Sequence, residues 1–310
     1  MSSGSAPVPA AEATDGLLPA WRRSARPYLL VLPAVALTIG ILYPFVQGAI
    51  YAFQNYKATR PDPAFIGFRN FERILTDEGF WHSVSVTAKF AVGATVVETV
   101  LGVAVALLLA RSSLVSRVLE RFLILPLMVA PIIATIMWRL MMQPSVGILN
   151  YVLRPFGLGD LAWTDTPTMA MFSVILIDVW IYTPFVALLV LAGLRSLPRA
   201  PFEAASVEGA GFCFTFRNLT LPMLWPYILV AVIFRFMDSL KVFDIIFALT
   251  GGGPGNATMA LQVQAYQDAI PFSNFSLGQT YMLILWAVVY VATFGLIKVL
   301  GKAQARAAGV

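Results

Sequence analysis

Arg235, Asp238, Lys241 and Asp244 recur at every third position, with alternating sign, inside an otherwise apolar run. Helical residues three apart are neighbours, so each charge can pair with the next and lower the cost of burial. The same groups also suit a wet path, because ionisable side chains at membrane depth face a bundle interior or a water-filled cavity. On the residues alone, the neutralising ladder and the solute path stand level. Asp178, close to Trp180 and Tyr182, is a second position of the same kind, and Glu98 reads as a structural pairing partner.

Covalent chemistry finds no material here. His82 is the single histidine and sits beside Trp81, which offers neither a triad nor a metal site. The single cysteine, Cys213, excludes an internal disulfide and any multi-cysteine metal site. The glycines at 251–253 and 255 lack the Lys-Ser or Lys-Thr of a phosphate loop. Gly301 and Lys302 fail as well, since Ala303 follows and Leu296 stands where the first glycine is required. We therefore expect no catalytic residue, no metal and no cofactor in this chain, and a turn beside the membrane at the glycines.

The elements that must position these charges are membrane helices. The 310 residues are 59% hydrophobic and 12% charged, with a mean hydropathy of +0.79, whereas a soluble domain carries about 25% charged residues. Apolar runs at 28–52, 84–110, 122–142, 168–192, 225–249 and 278–300 are each long enough to cross as a helix, giving six spans. Helices are required because hydrocarbon offers the backbone no partners. The expected fold is all-α and polytopic, with a disordered tail at 1–27, a transmembrane domain at 28–300 and a short tail at 301–310. Prolines 33, 44, 126, 131, 184 and 226 interrupt the runs and favour kinks or ends.

Lys and Arg set the orientation. Twelve lie in the tails and in the segments after the second and fourth spans, including Arg117, Arg121, Arg195, Arg199 and Lys302; five lie opposite, namely Lys57, Arg60, Arg69, Arg73 and Arg154. Both termini are expected in the cytoplasm. The net charge of +5 is spread between apolar runs rather than gathered in one segment, which argues against nucleic acid.

One polar gap, 194–222, is too hydrophilic to span yet dense in helix formers. Pro198 and Pro201 suit entry into a helix, Glu203 suits its positive end, and Ala204 and Ala205 favour it strongly. Gly209 and Gly211 can take the positive φ that ends it, and Phe212, Phe214 and Phe216 give the next segment an apolar side. The shape is helix, tight turn, helix on the membrane surface. Two small alanines beside a turn would admit a partner's groove, but an interfacial helix lying on lipid has the same ingredients.

Glu203-Ala204-Ala205, Gly209 after three more residues, then Leu219, Leu221 and Pro222 resemble the EAA motif of ABC-importer permeases. The spacing is reproduced throughout, with Leu219 where isoleucine is preferred and Glu208 where aspartate is frequent. The stretch from Val242 to Leu261 is similar to sugar permeases of the MalF type, in their compact six-span form. The resemblance implies a type I ABC-importer permease fold in the bacterial inner membrane. It implies that Glu203, Ala204, Ala205 and Gly209 form a coupling helix docked on an ATPase, and that Asp178, Asp238, Lys241 and Asp244 are candidates for the substrate path. It further implies a second, similar permease subunit, two ATPase subunits that bind ATP and magnesium, and an extracellular sugar-binding lipoprotein. The cargo would be a sugar, with the disaccharide trehalose as the specific expectation. A secondary transporter using Asp178, Asp238 or Asp244 as ion sites, or a membrane enzyme or scaffold that moves no solute, is the alternative.

Overall fold

The computed structural model describes residues 20–59, 62–110 and 113–307. In chain order the helices are α1 (Ala20–Ala52), α2 (Arg69–Leu75), α3 (Glu78–Leu109), α4 (Leu114–Leu123), α5 (Pro131–Met141), α6 (Ile148–Leu153), α7 (Pro167–Ser196), α8 (Ala200–Val207), α9 (Phe212–Thr215), α10 (Leu221–Ser239), α11 (Asp244–Leu249), α12 (Leu261–Ala269) and α13 (Phe275–Ala307). Among the described residues the one β pairing is an isolated bridge between Gln54 and Phe65. Among the described residues five helices are long and apolar enough to cross a membrane, or six if the bent pair 114–128 and 131–141 counts as one span. The chain divides into two units, 1–50 and 51–310.

The first unit, where described, is α1, which continues through Pro33 and Pro44 and exposes Leu37, Ile39 and Ile41. Helix begins at Ala20 rather than after residue 27, because residues 20–26 include good helix formers and no breaker. Residues 1–19 of the expected tail, with Arg60 and Arg111, lie outside the described residues. At the other end α13 runs on to Ala307, past the expected limit of 300; Lys302 and Gln304 both favour helix.

In the second unit, α3, α7 and α10 form the centre. Near their middle lies a charged layer, and apolar clusters flank it. One cluster joins Phe90 and Ala94 of α3 to Ile177 and Ile181 of α7 and to Ile245 and Ile246 of α11. The other joins Ala106 and Leu109 of α3 to Val186 and Val190 of α7 and to Leu224, Ile228 and Ala231 of α10. Small residues bring these helices close. A Cβ on Gly102 would stand 2.6 Å from Val186, and one on Gly193 would stand 2.6 Å from the Tyr227 ring. Close approach through small residues is the usual device of helices in lipid, where packing drives association. A third cluster seats α2 and α12 against α13 through Ile74, Leu261, Ala265, Leu277 and Tyr281.

Two expected spans are interrupted. In 122–142, Pro126 falls in a 3-10 turn (Leu125–Met128) and Pro131 opens α5, so the two halves meet at 96°. In 225–249, α10 ends at Ser239 and α11 restarts at Asp244. The break falls in the charged ladder, and Asp244 lies at the positive start of the new helix. Pro184 and Pro226 remain inside α7 and α10 without ending them.

Candidate functional site

Arg235, one turn from the end of α10, organises the charged layer. Its Nε donates to Glu98 Oε2 at 2.7 Å and its Nη2 to Glu98 Oε1 at 2.9 Å, a bidentate pair between α10 and α3. Nη2 also donates to Asp178 Oδ2 of α7 at 2.9 Å and to Ser239 Oγ at 3.2 Å, while Nη1 donates to Asp238 Oδ2 at 2.9 Å. The Tyr182 ring lies 3.9 Å from the guanidinium carbon. Glu98, Asp178 and Arg235 are 0%, 2% and 2% exposed. One guanidinium thus pins three helices at a common depth, and its planar fork suits this task.

The helical ladder is only partly realised. Arg235 pairs with Asp238, and Lys241 Nζ reaches Asp238 Oδ1 at 3.9 Å, but α10 stops at Ser239 and no Lys241–Asp244 pair forms. The strongest partners of Arg235 come from α3 and α7. Glu98, read as a structural partner, does pair with Arg235.

Beside this cluster the interruption between α10 and α11 opens a cavity of about 210 Å³. Asp178, Asp238, Lys241 and Asp244 all line it, so residues from separate helices and a turn converge on one space. Tyr182, Ser239 and Gln262 of α12 line it too. The Gln262 Oε1 is buried without a hydrogen-bond partner. Ser239 and Gln262 were not expected from the sequence: Ser239 carries no charge that marks it, and nothing in the local pattern shows that α12 folds back against α13. The cavity is deeply polar on one wall and carries an aromatic face, an arrangement that can hold a hydroxylated solute. Among the described residues no group of three or more His, Cys, Asp or Glu could hold a metal ion.

The polar gap forms a second site. Leu197 leaves α7 in an extended conformation, and α8 starts with Pro201 and Glu203 in its first turn. Gly209, at φ +77°, ends it; its N–H donates to Ser206 O, and the N–H of Ala210 donates to Ala205 O at 2.9 Å. Gly211 departs from the positive φ expected of it, lying at −71° as the residue that opens α9. From Phe212 the chain continues through a π-helical turn (Phe216–Thr220) into α10. Ala205 is buried, and Glu203, Ala204 and Gly209 are exposed. Behind α8 a recess of about 780 Å³ is lined by Leu107, Arg195, Phe202, Glu203, Phe212 and Thr220. Arg195 in turn holds Glu120 of α4 through two hydrogen bonds of 2.8 and 3.0 Å.

At the opposite end, the glycine-rich segment is a tied turn. Gly251, Gly252 and Gly255 have positive φ, and Thr258 Oγ1 donates to Gly253 O. His82 Nε2 lies 2.9 Å from the carbonyl oxygen of Asn256 and so fastens the turn to α3. A neighbouring hollow holds Arg73, Asp77, Gln264 and Asp268. Burial pushes the Asp268 carboxyl above its ordinary range, against the opposing pull of the Gln264 hydrogen bond and Arg73.

The family described as binding-protein-dependent transport system inner membrane component matches residues 98–306, from Glu98 of the buried cluster through the polar gap to α13. The trehalose/maltose transport system permease protein MalF of Thermococcus litoralis is 35% identical over 280 residues, covering 90% of this chain and 95% of its own length. The trehalose transport system permease protein SugA of Mycobacterium tuberculosis is 32% identical over 278 residues, 89% of each chain. A bacterial ABC transporter involved in the import of the acidic polysaccharide alginate has a chain of the same fold, with a TM-score of 0.79 at 21% identity over 91% of this chain and 96% of that one. The fold is that of type I ABC-importer permeases, and the chain belongs to the binding-protein-dependent transport system inner membrane component family.

Proposed function

We propose that this chain is one of two permease subunits in a sugar-importing ABC transporter of the bacterial inner membrane. The observation that carries the reading is the 35% identity to a trehalose/maltose permease over nine-tenths of both chains. A glucose-containing disaccharide such as trehalose is the cargo. Other relatives are named for diacetylchitobiose, starch degradation products or sulfoquinovosyl glycerol, which supports a sugar or glycoside as the class of cargo. The cavity beside Arg235 is the substrate path: Asp178, Asp238, Lys241 and Asp244 hydrogen-bond sugar hydroxyls, and Tyr182 offers a ring face.

The segment from Glu203 to Pro222 is the coupling element. Glu203, Ala204, Ala205 and Gly209 seat α8 in a cleft of an ATPase subunit, supported by the EAA spacing, the exposed Glu203–Ala204 edge and the αL turn at Gly209. This end and both termini face the cytoplasm, as the Lys and Arg distribution indicates. ATP and magnesium are bound by two separate ATPase subunits, and hydrolysis occurs there. A similar second permease completes the pore, and an extracellular lipoprotein delivers the sugar. Support comes from a solved bacterial alginate ABC transporter in complex with an alginate pentasaccharide-bound periplasmic protein. The test is sugar uptake by the complete complex in proteoliposomes, with unlabelled trehalose, maltose and chitobiose as competitors of labelled trehalose. Entry of labelled trehalose that maltose reduces supports the assignment; labelled trehalose that does not enter overturns it.

A further inference from the structure

Helix α4, Leu114-Val-Ser-Arg-Val-Leu-Glu-Arg-Phe-Leu123, carries two faces of opposite character. Ser116 and Glu120, one turn apart, hold it to the body: Ser116 Oγ donates to Leu109 O at 2.6 Å, and Glu120 accepts both hydrogen bonds from Arg195. Away from these anchors Leu114, Val115, Val118, Leu119 and Phe122 are all exposed. At 3.6 residues per turn they occupy about 140° of the helix circumference. Arg117 and Arg121, also one turn apart, are exposed along one margin of that arc, and neither side chain makes a hydrogen bond or ion pair among the described residues. The helix follows directly on the end of α3, a 32-residue membrane helix, and Leu114–Met128 meets Pro131–Met141 at 96°.

We infer that α4 is a lipid-binding helix that lies in the membrane interface, its apolar arc in the acyl layer and Arg117 and Arg121 on the phosphates of anionic lipids. Three features select lipid over a protein partner. A broad apolar arc bordered by unpaired cations matches an anionic headgroup layer above hydrocarbon. The arc points away from the polar anchors that hold the helix. The 96° turn lets α5 enter the bilayer while α4 runs along its surface. Arg195 then links this lipid contact to the end of α7, directly before the coupling segment, so the charge of the inner leaflet reaches α8 through one ion pair. The assignment borrows from the proposed function only that this end faces the cytoplasm.

The test uses the complex that this chain forms in its own membrane, transferred to nanodiscs of phosphatidylcholine alone or mixed with phosphatidylglycerol. In a Cys213→Ser background, Val118→Cys carries a spin label, and its relaxation is measured with oxygen and with a water-soluble nickel complex. Retained phosphatidylglycerol relative to phosphatidylcholine is measured in parallel for the parent, for Arg117→Gln/Arg121→Gln and for Arg69→Gln as a control. Access by oxygen without access by nickel, together with enrichment of phosphatidylglycerol that drops several-fold in the double variant and not in the control, is the expected result. A label reached by nickel places the arc in water, and one sealed from both reagents places it under a partner subunit; either overturns the inference. A label in lipid with no preference for phosphatidylglycerol overturns it too. Neither readout involves sugar or ATP, so a failure of the importer reading leaves this test standing.

Discussion

Arg235 and Glu98 share two hydrogen bonds, of 2.7 and 2.9 Å, across 137 positions of sequence, with both side chains withdrawn from solvent. Removing one member of such a pair strands its partner's charge. Glu98→Gln leaves Arg235 with Asp178 and Asp238, whereas Arg235→Met leaves Glu98 and Asp178 without a cation. Breaking a buried pair costs about 3–5 kcal/mol. Arg235→Met is therefore expected to lower thermal stability in detergent more than Glu98→Gln does. Equal stability of both variants and the parent would remove Arg235 as the organiser of the three helices.

The proposed path residues should act on transport with less effect on stability, because Asp238 and Lys241 are half-exposed, at 52% and 51% of their side chains. Asp238→Asn and Lys241→Gln are each expected to weaken sugar uptake by about ten- to a hundredfold, the equivalent of one charged hydrogen bond at about 1.5–3 kcal/mol. Uptake kinetics in proteoliposomes, with Tm recorded alongside, measure this. Unchanged uptake in both variants would move the path elsewhere.

Backbone conformation separates the two glycines of the proposed coupling segment. A side chain on Gly209 meets no neighbouring atom, so Gly209→Ala tests the +77° φ alone and is expected to cost about 1 kcal/mol locally. Gly211 lies at −71°, and Gly211→Ala is expected to be silent. Sugar-stimulated ATP hydrolysis by the complex should fall in the first variant and hold in the second. The reverse order would contradict the turn.

Asp268 provides a pH test on the far side of the bundle. Its carboxyl is raised by burial, so the fold favours the protonated form. That contribution is fully present below the ordinary value of 3.8 and is lost as pH rises through the raised folded value. Asp268→Asn keeps an acceptor for Gln264, whose Nε2 lies 3.4 Å from Asp268 Oδ2, and removes the charge. Its Tm should match the parent at low pH and exceed it by a widening margin towards neutral pH. A constant difference across that window would contradict the burial argument.

Local patterns made much of this protein legible. The lipid-length runs named the helices, and Pro201, Glu203 and the alanines named α8, because these signals lie within a few residues of what they specify. Gly211 misled, since glycine also suits the extended residue before a helix. The break at Ser239 was hidden because the three-residue charge spacing suits a continuing helix just as well. What could not be read was long-range: Glu98 sits alone in an apolar run, and only the packing of α3 against α10 shows that it belongs to Arg235. Gln262 enters the cavity because α12 folds back, a fact carried by the apolar contacts of α12 with α13 and not by its polar residues.

The proposed coupling has ATP hydrolysis in separate subunits drive this chain through Glu203 and its neighbours. Its most direct test is uptake of labelled trehalose by proteoliposomes containing the complete complex, with ATP enclosed, binding protein outside and ionophores present. Uptake is expected to need ATP and binding protein, to survive collapse of the ion gradients, and to be lost in Glu203→Lys/Gly209→Ala while the complex still assembles. Uptake that continues without ATP and stops when the gradients collapse would contradict it.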